Sequence, residues 1–136
     1  MKTDEAKVQV WVIENDIALA DAYSYIIAQG GYDVSVFASH QEAMKHLAIT
    51  EVPDVLLLDV YAPDMSGLAF LESASPKLVA SDTAIIVLSN SEDPAVIDYT
   101  YELGATAYMI KAWVSPNDLL RTIDGAAKNH TERRVG

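Results

Sequence analysis

Short apolar runs alternate along this chain with longer segments in which apolar residues recur every three or four positions. The runs have the length expected of strands and are rich in Val, Ile and Leu. The segments between them have the period of helices that bury one face. The pattern therefore predicts five strands, each followed by a helix. The predicted strands are residues 8–14, 32–38, 54–59, 83–90 and 106–111.

Capping and turn residues set the expected ends of the helices. Ser39 and Glu42 have the pattern of a capping box, which starts a helix. Pro76 is expected to break or end the third helix, because proline lacks the N–H that an interior helical turn requires. The last helix is expected to end near Lys128 and to be followed by a frayed polar tail. The predicted helices are residues 16–31, 39–49, 66–80, 91–104 and 115–128.

The first, third and fourth predicted strands are unbroken apolar runs rather than alternating ones. Strands of this kind are covered on both faces, which is typical of a parallel sheet with helices on each side. The chain has 136 residues, of which 51% are hydrophobic, and this suits one α/β domain with one core. We expect an N-terminal tail at 1–7, the domain at 8–128, and a C-terminal tail or the start of a linker at 129–136.

Composition excludes several classes of chemistry. The chain has no cysteine, so disulfides, thiolate zinc sites and a cysteine nucleophile are excluded. Its net charge of −11 opposes binding to nucleic acid phosphates and to anionic lipid. The N-terminal residues lack the apolar core of a signal peptide, and no apolar run has the length of a membrane span. We therefore expect a cytoplasmic protein that binds neither nucleic acid nor membrane directly.

Polar residues follow four of the predicted strands at their carboxyl ends. They are Glu14, Asn15 and Asp16 after the first strand, Asp59 after the third, Ser89 and Asn90 after the fourth, and Lys111 after the fifth. In a parallel sheet these ends meet at one edge, where ligands bind. Carboxylates placed together repel unless a cation lies between them, and oxygen ligands favour Mg²⁺. A carboxylate beside Mg²⁺, a lysine and a hydroxyl group has the groups needed to accept a phosphoryl group.

From about Val8 to Lys128 the chain resembles the receiver domain of two-component response regulators, in particular the chemotaxis regulators. The matching motifs are the acidic pair after the first strand, LLLDVYAPDMSG, VLS at the end of the fourth strand, and GATAYMIKA. The resemblance implies a flavodoxin-like, doubly wound (βα)5 fold with a five-stranded parallel sheet in the order 2-1-3-4-5. Pro63 and Gly67 match the loop that follows the phosphoacceptor.

The resemblance also implies a role for each matching side chain. Asp59 corresponds to the phosphoacceptor of the family. Ser89 corresponds to the switch hydroxyl that contacts the phosphoryl group, and Lys111 corresponds to the lysine that pairs with it. Tyr108 corresponds to the aromatic residue that turns inward when the hydroxyl group moves. Beyond its own phosphorylation and dephosphorylation on Asp59, the domain is not expected to be an enzyme.

A magnesium site is implied at the same edge. Its ligands would be the side chains of Glu14, Asn15 and Asp59 and the backbone carbonyl of Tyr61. Asn15 departs from the family, which mostly carries aspartate there, so we expect weak Mg²⁺ binding. Ala112 departs as well, because receivers mostly have a proline with a cis peptide bond after the lysine. A cis bond before a non-proline residue costs about 2.5–4 kcal/mol, so we expect a trans bond and an altered loop here.

The implied partners are a sensor histidine kinase or phosphotransfer protein, and a downstream effector protein or output domain. Phosphorylation is expected to change the surface formed by the fourth helix, fifth strand and fifth helix, through which a homodimer could also form. An alternative, prompted by Asn15 and Ala112, is a degenerate receiver that acts as a phosphorylation-independent interaction module. A flavin-binding enzyme on the same layout is opposed by the sequence ENDIALA, which has no glycine and is acidic where a phosphate would bind.

Three histidines and one tryptophan have no place in these motifs. His40, His46 and His130 lack a metal-ligand pattern and are expected on the surfaces of helices. Trp113, in the loop after the fifth strand, is expected to be exposed and available to a partner.

Overall fold

Five parallel strands form a sheet in the order β2-β1-β3-β4-β5. The computed structural model describes residues 7–49, 52–60 and 66–135. The strands are β1 (Gln9–Ile13), β2 (Asp33–Phe37), β3 (Val55–Asp59), β4 (Ala84–Ser89) and β5 (Ala107–Ile110). The helices are α1 (Ile17–Gln29), α2 (His40–Ile49), α3 (Ser66–Ala80), α4 (Pro94–Glu102) and α5 (Pro116–Val135). This confirms the predicted doubly wound (βα)5 fold. Within the described ranges, no helix combines the length and the hydropathy that a membrane-spanning segment needs.

The two faces of the sheet are covered by different helices. Leu57 packs in a cluster with residues of α1 and α5, whereas its neighbour Leu58 packs with residues of α2 and α3. Every residue of β3 and β4 is buried, which explains why their sequences are unbroken apolar runs. Each fully buried Leu or Ile contributes about 1.5–3 kcal/mol relative to an exposed one. These two central strands therefore hold the sheet together and fix where their carboxyl ends lie.

The third helix is continuous, so the predicted break at Pro76 is wrong. The proline lies in the interior of α3. Leu71 and Ala74 before it and Leu78 after it are buried against the sheet. A proline in a helix interior costs about 3 kcal/mol, and the burial of apolar side chains on both sides of it offsets that cost.

The last helix extends past its predicted end at Lys128 and continues to Val135. Ala126 and Ala127 are buried just before Lys128 and His130 is buried just after it, so the helix packs against the domain on both sides of that point. The prediction of a helix end near Lys128 is therefore wrong, because the burial of His130 beyond it outweighs the polar composition of the tail.

His130 is buried, which corrects the prediction that it lies on the surface. Its Nδ1 lies 2.6 Å from the carbonyl oxygen of Asp82, and its Nε2 lies 2.8 Å from Oδ1 of Asp54. Asp54 precedes β3 and Asp82 precedes β4. The ring therefore links the C-terminal part of α5, through these two polar contacts, to the segments that precede the two central strands.

Gly67 lies where the first turn of α3 crosses the end of β3. A β-carbon at this position would lie 2.3 Å from Cα of Val60 and 2.7 Å from the carbonyl oxygen of Asp59. Both atoms belong to the backbone, so they cannot move aside as a flexible side chain would. The close approach of the two backbones therefore requires glycine, and it places α3 directly beside Asp59.

Gly67→Ala is expected to lower the free energy of unfolding by about 1–3 kcal/mol, because the added methyl group must displace the end of β3. Gly125→Ala is the matched control, since a β-carbon at this position of α5 would have no atom within 4 Å apart from those of its two chain neighbours and the backbone of its own helix. Alanine should raise stability there by roughly 0.5–1 kcal/mol, because it loses less conformational entropy than glycine in a helix. Urea unfolding of both variants measures the two changes. A Gly67→Ala variant as stable as the wild type would contradict the close approach.

Candidate functional site

The carboxyl ends of β1, β3, β4 and β5 meet at one edge and bring four of the predicted side chains to it. Glu14 follows β1, Asp59 ends β3, Ser89 ends β4, and Lys111 follows β5. Glu14, Asp59 and Ser89 are buried. The Nζ of Lys111 lies 3.1 Å from Oδ2 of Asp59 and 2.8 Å from Oε1 of Glu14. One ammonium group therefore bridges two carboxylates.

Burial and the neighbouring opposite charges act in opposite directions on the pKa values of Glu14 and Lys111. Burial raises the pKa of Glu14 above its ordinary value, and the contact with Lys111 offsets only part of that rise. Burial alone would lower the pKa of Lys111, but its contacts with Glu14 and Asp59 outweigh burial and raise that pKa. Lys111 is therefore charged at neutral pH, while the negative charge of Glu14 is stabilised incompletely.

The buried carboxylate of Glu14 has an oxygen suited to a cation. Glu14 Oε1 is enclosed, and its contact among the described residues is the ion pair with the ammonium group of Lys111 at 2.8 Å, which leaves a lone pair of this oxygen unused. The other oxygen, Oε2, accepts a hydrogen bond from the backbone N–H of Asp16 at 3.1 Å. Lone pairs of Oε1 could thus be shared with a cation that also contacts Asp59. These two carboxylates fit a hard divalent ion such as Mg²⁺, which takes one or two carboxylates and keeps several waters.

The other residues of the predicted acidic edge are placed differently. The side chain of Asn15 is exposed. Asp16 caps α1, because its Oδ1 accepts a hydrogen bond from the N–H of Leu19 at 3.1 Å. Tyr61, the predicted carbonyl ligand, and Pro63 lie outside the described residues. Among the residues that the structure describes, no group of three or more acidic or histidine side chains is arranged to hold a metal ion.

Ser89 and Tyr108, the predicted switch pair, both bond to the backbone of Ser91. Ser89 Oγ accepts a hydrogen bond from the N–H of Ser91 at 3.0 Å. Tyr108 is half-buried, and its hydroxyl group donates to the carbonyl oxygen of Ser91 at 2.8 Å. Sequence reasoning missed Ser91, because its backbone atoms make these contacts and no residue type identifies them. The segment after β4 thus connects the site to β5.

The loop after β5 has the trans peptide bond that the sequence predicts between Lys111 and Ala112. Lys111 to Trp113 form a short 3₁₀ turn. The N–H of Ala112, which a proline would lack, donates to Oδ1 of Asn90 at 3.1 Å. Lys111 reaches both carboxylates although no proline follows it. Trp113 is 66% exposed, as predicted.

His40 contacts the site, although sequence reasoning placed it on the surface. It is the first residue of α2 and is half-buried, and its Nε2 lies 3.0 Å from the backbone carbonyl oxygen of Asp59. No motif marks this contact, because it depends on how α2 packs beside the end of β3. His46, on the same helix, is exposed as predicted, and its ring packs against Phe37.

A five-stranded parallel sheet in this strand order, with helices on both faces, is the CheY-like, flavodoxin-like fold. A family model described as the response regulator receiver domain matches residues 10–124. The chain therefore belongs to the response regulator receiver domain family, which confirms the resemblance seen in its motifs.

Individual relatives agree with the family. The transcriptional regulatory protein CreB of Escherichia coli K12 is 32% identical over 112 residues, which cover 81% of this chain and 46% of CreB. The transcriptional regulatory protein YdfI of Bacillus subtilis is 27% identical over 123 residues, which cover 90% of this chain and 56% of YdfI. The crystal structure of a CheY-like receiver domain protein from Methanospirillum hungatei is similar with a TM-score of 0.84 and 25% identity, covering 94% of this chain and 99% of that one. The chain spans about half the length of the two curated relatives.

Proposed function

We propose that this receiver is switched by phosphorylation of Asp59. The observation that carries the proposal is the buried Asp59 carboxylate at the end of β3, 3.1 Å from the ammonium group of Lys111, which also contacts Glu14. A buried carboxylate is costly unless its charge is paired. Here the pairing puts a carboxylate nucleophile next to a group that stabilises the oxygens of a transferred phosphoryl group.

In the proposed reaction, an oxygen of the Asp59 carboxylate attacks the phosphorus atom of a donor. The bond between phosphorus and the donor breaks, its electron pair leaves with the donor, and an acyl phosphate remains on Asp59. The ammonium group of Lys111 pairs with one phosphoryl oxygen. The hydroxyl group of Ser89 has a hydrogen to donate to another, because its bond to Ser91 uses Oγ as the acceptor. The proposed donor is a phosphohistidine of a sensor kinase or phosphotransfer protein in the cytoplasm.

Mg²⁺ is the proposed cofactor. The carboxylates of Glu14 and Asp59 would hold it, with the Asn15 side chain and the backbone carbonyl of Tyr61 as further ligands. When bound, Mg²⁺ neutralises charge on the phosphoryl oxygens. Asn15 supplies a neutral amide oxygen where a carboxylate would add a charge, so the proposed binding is weak.

Asn15→Asp is expected to bind Mg²⁺ roughly tenfold more tightly than the wild type. At an effective dielectric constant near 20, one added charge a few ångströms from the ion is worth about 4 kcal/mol before desolvation and screening. Only part of this survives as binding free energy, because waters on Mg²⁺ replace a lost ligand. Phosphorylation by acetyl phosphate should be faster in the variant at low Mg²⁺, and saturating Mg²⁺ should narrow the difference.

A Mg²⁺ titration followed by tryptophan or tyrosine fluorescence measures the affinities of wild type and Asn15→Asp. Asn129→Asp adds the same charge at an exposed position of α5 and controls for net charge. An Asn15→Asp affinity no higher than that of Asn129→Asp would refute the role proposed for residue 15.

Phosphorylation of Asp59 is proposed to change the surface of the domain through the segment that follows β4. Ser89 and Tyr108 bond to the N–H and to the carbonyl oxygen of the same residue, Ser91. A movement of Ser89 toward a phosphoryl group would therefore disturb the backbone that Tyr108 also contacts. The surface formed by α4, β5 and α5 is the one proposed to bind an effector protein, an output domain or a second copy of the chain.

The alternative, a receiver that acts without phosphorylation, is prompted by Asn15 and Ala112. The position of Lys111 counts against it, because its ammonium group contacts both carboxylates. Intact mass after treatment with acetyl phosphate and Mg²⁺ separates the two functions. Phosphorylation should add the mass of one phosphoryl group, and chelation of Mg²⁺ should prevent the gain. A folded protein that gains no mass at saturating Mg²⁺ would instead support the phosphorylation-independent module.

A further inference from the structure

The side chain of His40 bonds to the backbone of Asp59. Its Nε2 lies 3.0 Å from the Asp59 carbonyl oxygen. A carbonyl oxygen can only accept a hydrogen bond, so the contact requires the hydrogen to be on Nε2. A side chain of α2 thereby contacts the residue proposed to accept phosphate, on its main chain rather than on its carboxylate.

With the His40 contact, both polar groups of one peptide unit are hydrogen-bonded. The peptide group between Asp59 and Val60 has its N–H bonded to the carbonyl oxygen of Leu88 in β4 at 3.3 Å, and its carbonyl bonded to His40. The pairing of β1 with β3 ends one residue earlier, at Ile13 and Leu58. His40 therefore supplies a donor to β3 where its pairing with β1 has ended. A peptide group bonded at both its N–H and its carbonyl cannot rotate without losing a bond.

The ring of His40 is itself held in place. Its centroid lies 5.9 Å from that of Phe70 in α3, with the ring planes tilted by 42°. The start of α2 is capped by Ser39 Oγ, which accepts a hydrogen bond from the N–H of Glu42 at 3.1 Å. The His40 donor is thus presented by a capped helix end and supported by a neighbouring helix.

The corner between β2 and α2 also bonds to the backbone of Glu14, the residue that bears the other buried carboxylate. The N–H of Glu14 donates to the carbonyl oxygen of Phe37, the last residue of β2, at 3.1 Å. The same corner thus bonds to Glu14 through the backbone of β2 and to Asp59 through His40. The main chains of both residues whose carboxylates contact Lys111 are therefore bonded from this side of the sheet.

We propose that His40 is a positioning residue for phosphorylation of Asp59. It fixes the peptide group that follows the acceptor, and so holds the Asp59 carboxylate in line with Lys111 and Glu14. This proposal rests on the proposed function, because it concerns the same reaction. Loss of the donor should slow phosphoryl transfer roughly tenfold, since a single hydrogen bond and a small misplacement of a reacting group each have effects of this order.

The test compares His40→Leu, which removes the donor, with His40→Gln, whose side-chain N–H can take the place of Nε2. His46→Leu is the matched control, because it removes the other histidine of α2, whose ring packs on Phe37. Rates of mass gain are measured with acetyl phosphate at saturating Mg²⁺, and thermal unfolding checks that each variant is folded. His40→Leu should be roughly tenfold slower than wild type, with His40→Gln recovering most of the rate and His46→Leu unchanged.

Hydrogen exchange of the Val60 amide gives a second readout that needs no phosphodonor. It should accelerate roughly tenfold in His40→Leu and stay near the wild-type rate in His40→Gln, because only His40→Leu leaves the peptide group held by a single bond, the one from the Val60 N–H to the carbonyl oxygen of Leu88. If the wild type is phosphorylated and His40→Leu is phosphorylated at the same rate, the positioning role alone is overturned. Equal slowing in the Leu and Gln variants would overturn it as well, because it would assign the effect to ring packing. A wild type that takes up no phosphoryl group would overturn the proposed function and this inference together.

Discussion

Asp59→Asn is expected to take up no phosphoryl group under conditions in which the wild type is fully labelled. Asparagine keeps the shape of the side chain, but its amide is not a nucleophile comparable to a carboxylate. The neighbouring acidic groups are poor substitutes. Glu14 has one oxygen bonded to the N–H of Asp16 and the other enclosed beside Lys111. Asp16 faces the first turn of α1 as its cap.

The measurement is a time course of intact mass for wild type and Asp59→Asn, with acetyl phosphate at saturating Mg²⁺. Asp16→Asn is the control, because it removes an exposed carboxylate from the same end of the sheet and should still be labelled. Thermal unfolding shows that each variant is folded. Labelling of Asp59→Asn at the wild-type rate would assign phosphorylation to another residue.

Lys111→Met is expected to slow phosphorylation about 100-fold and to lower the free energy of unfolding by about 3 kcal/mol. The rate falls because no ammonium group remains to stabilise the phosphoryl oxygens. Stability falls because Glu14 and Asp59 are buried and lose the cation that contacts both of them. Methionine has a similar length, so the variant changes charge more than packing.

The loss of stability in Lys111→Met should depend on pH in a defined direction. Burial already raises the pKa of Glu14, and the variant loses the contact that offset part of this rise. The folded variant therefore keeps a proton on Glu14 over a pH range in which the unfolded chain has released it. Its stability should rise as pH falls from neutrality toward the ordinary glutamate range, so the deficit relative to wild type should narrow.

Urea unfolding of wild type and Lys111→Met at neutral and mildly acidic pH measures this dependence. Lys128→Met, at an exposed position of α5, should show no comparable deficit at either pH. A Lys111→Met deficit that widens on acidification would show that Glu14 is not the group left unpaired.

The fold could be predicted from the sequence because its strongest signals are local. β3 and β4 are buried on both faces, and an unbroken apolar run such as Val55 to Leu58 indicates a strand of this kind. The edge of the sheet could be predicted for a related reason, because parallel strands bring all their carboxyl ends together. Asp59 and Lys111 are far apart in sequence, yet both stand at the end of a strand, and the structure brings them to 3.1 Å.

The features that the sequence did not predict depend on packing between distant segments. Pro76 predicts a helix break, but the burial of apolar residues on both sides of it outweighs the cost of a proline inside the helix. His130 lies beyond a polar stretch that suggests a frayed end, yet it is buried beside segments that precede β3 and β4. His40 contacts Asp59 only because α2 begins next to the end of β3. Ser91 takes part through its backbone alone.

The most direct test of the central claim locates the phosphoryl group on the wild-type protein. The chain is phosphorylated with acetyl phosphate and Mg²⁺, the acyl phosphate is reduced with borohydride, and the modified residue is identified by peptide mass spectrometry. One modified residue, Asp59 in the peptide that contains β3, is the expected result. Modification of Glu14, Asp16 or any other residue in place of Asp59 would contradict the assignment of Asp59 as the acceptor.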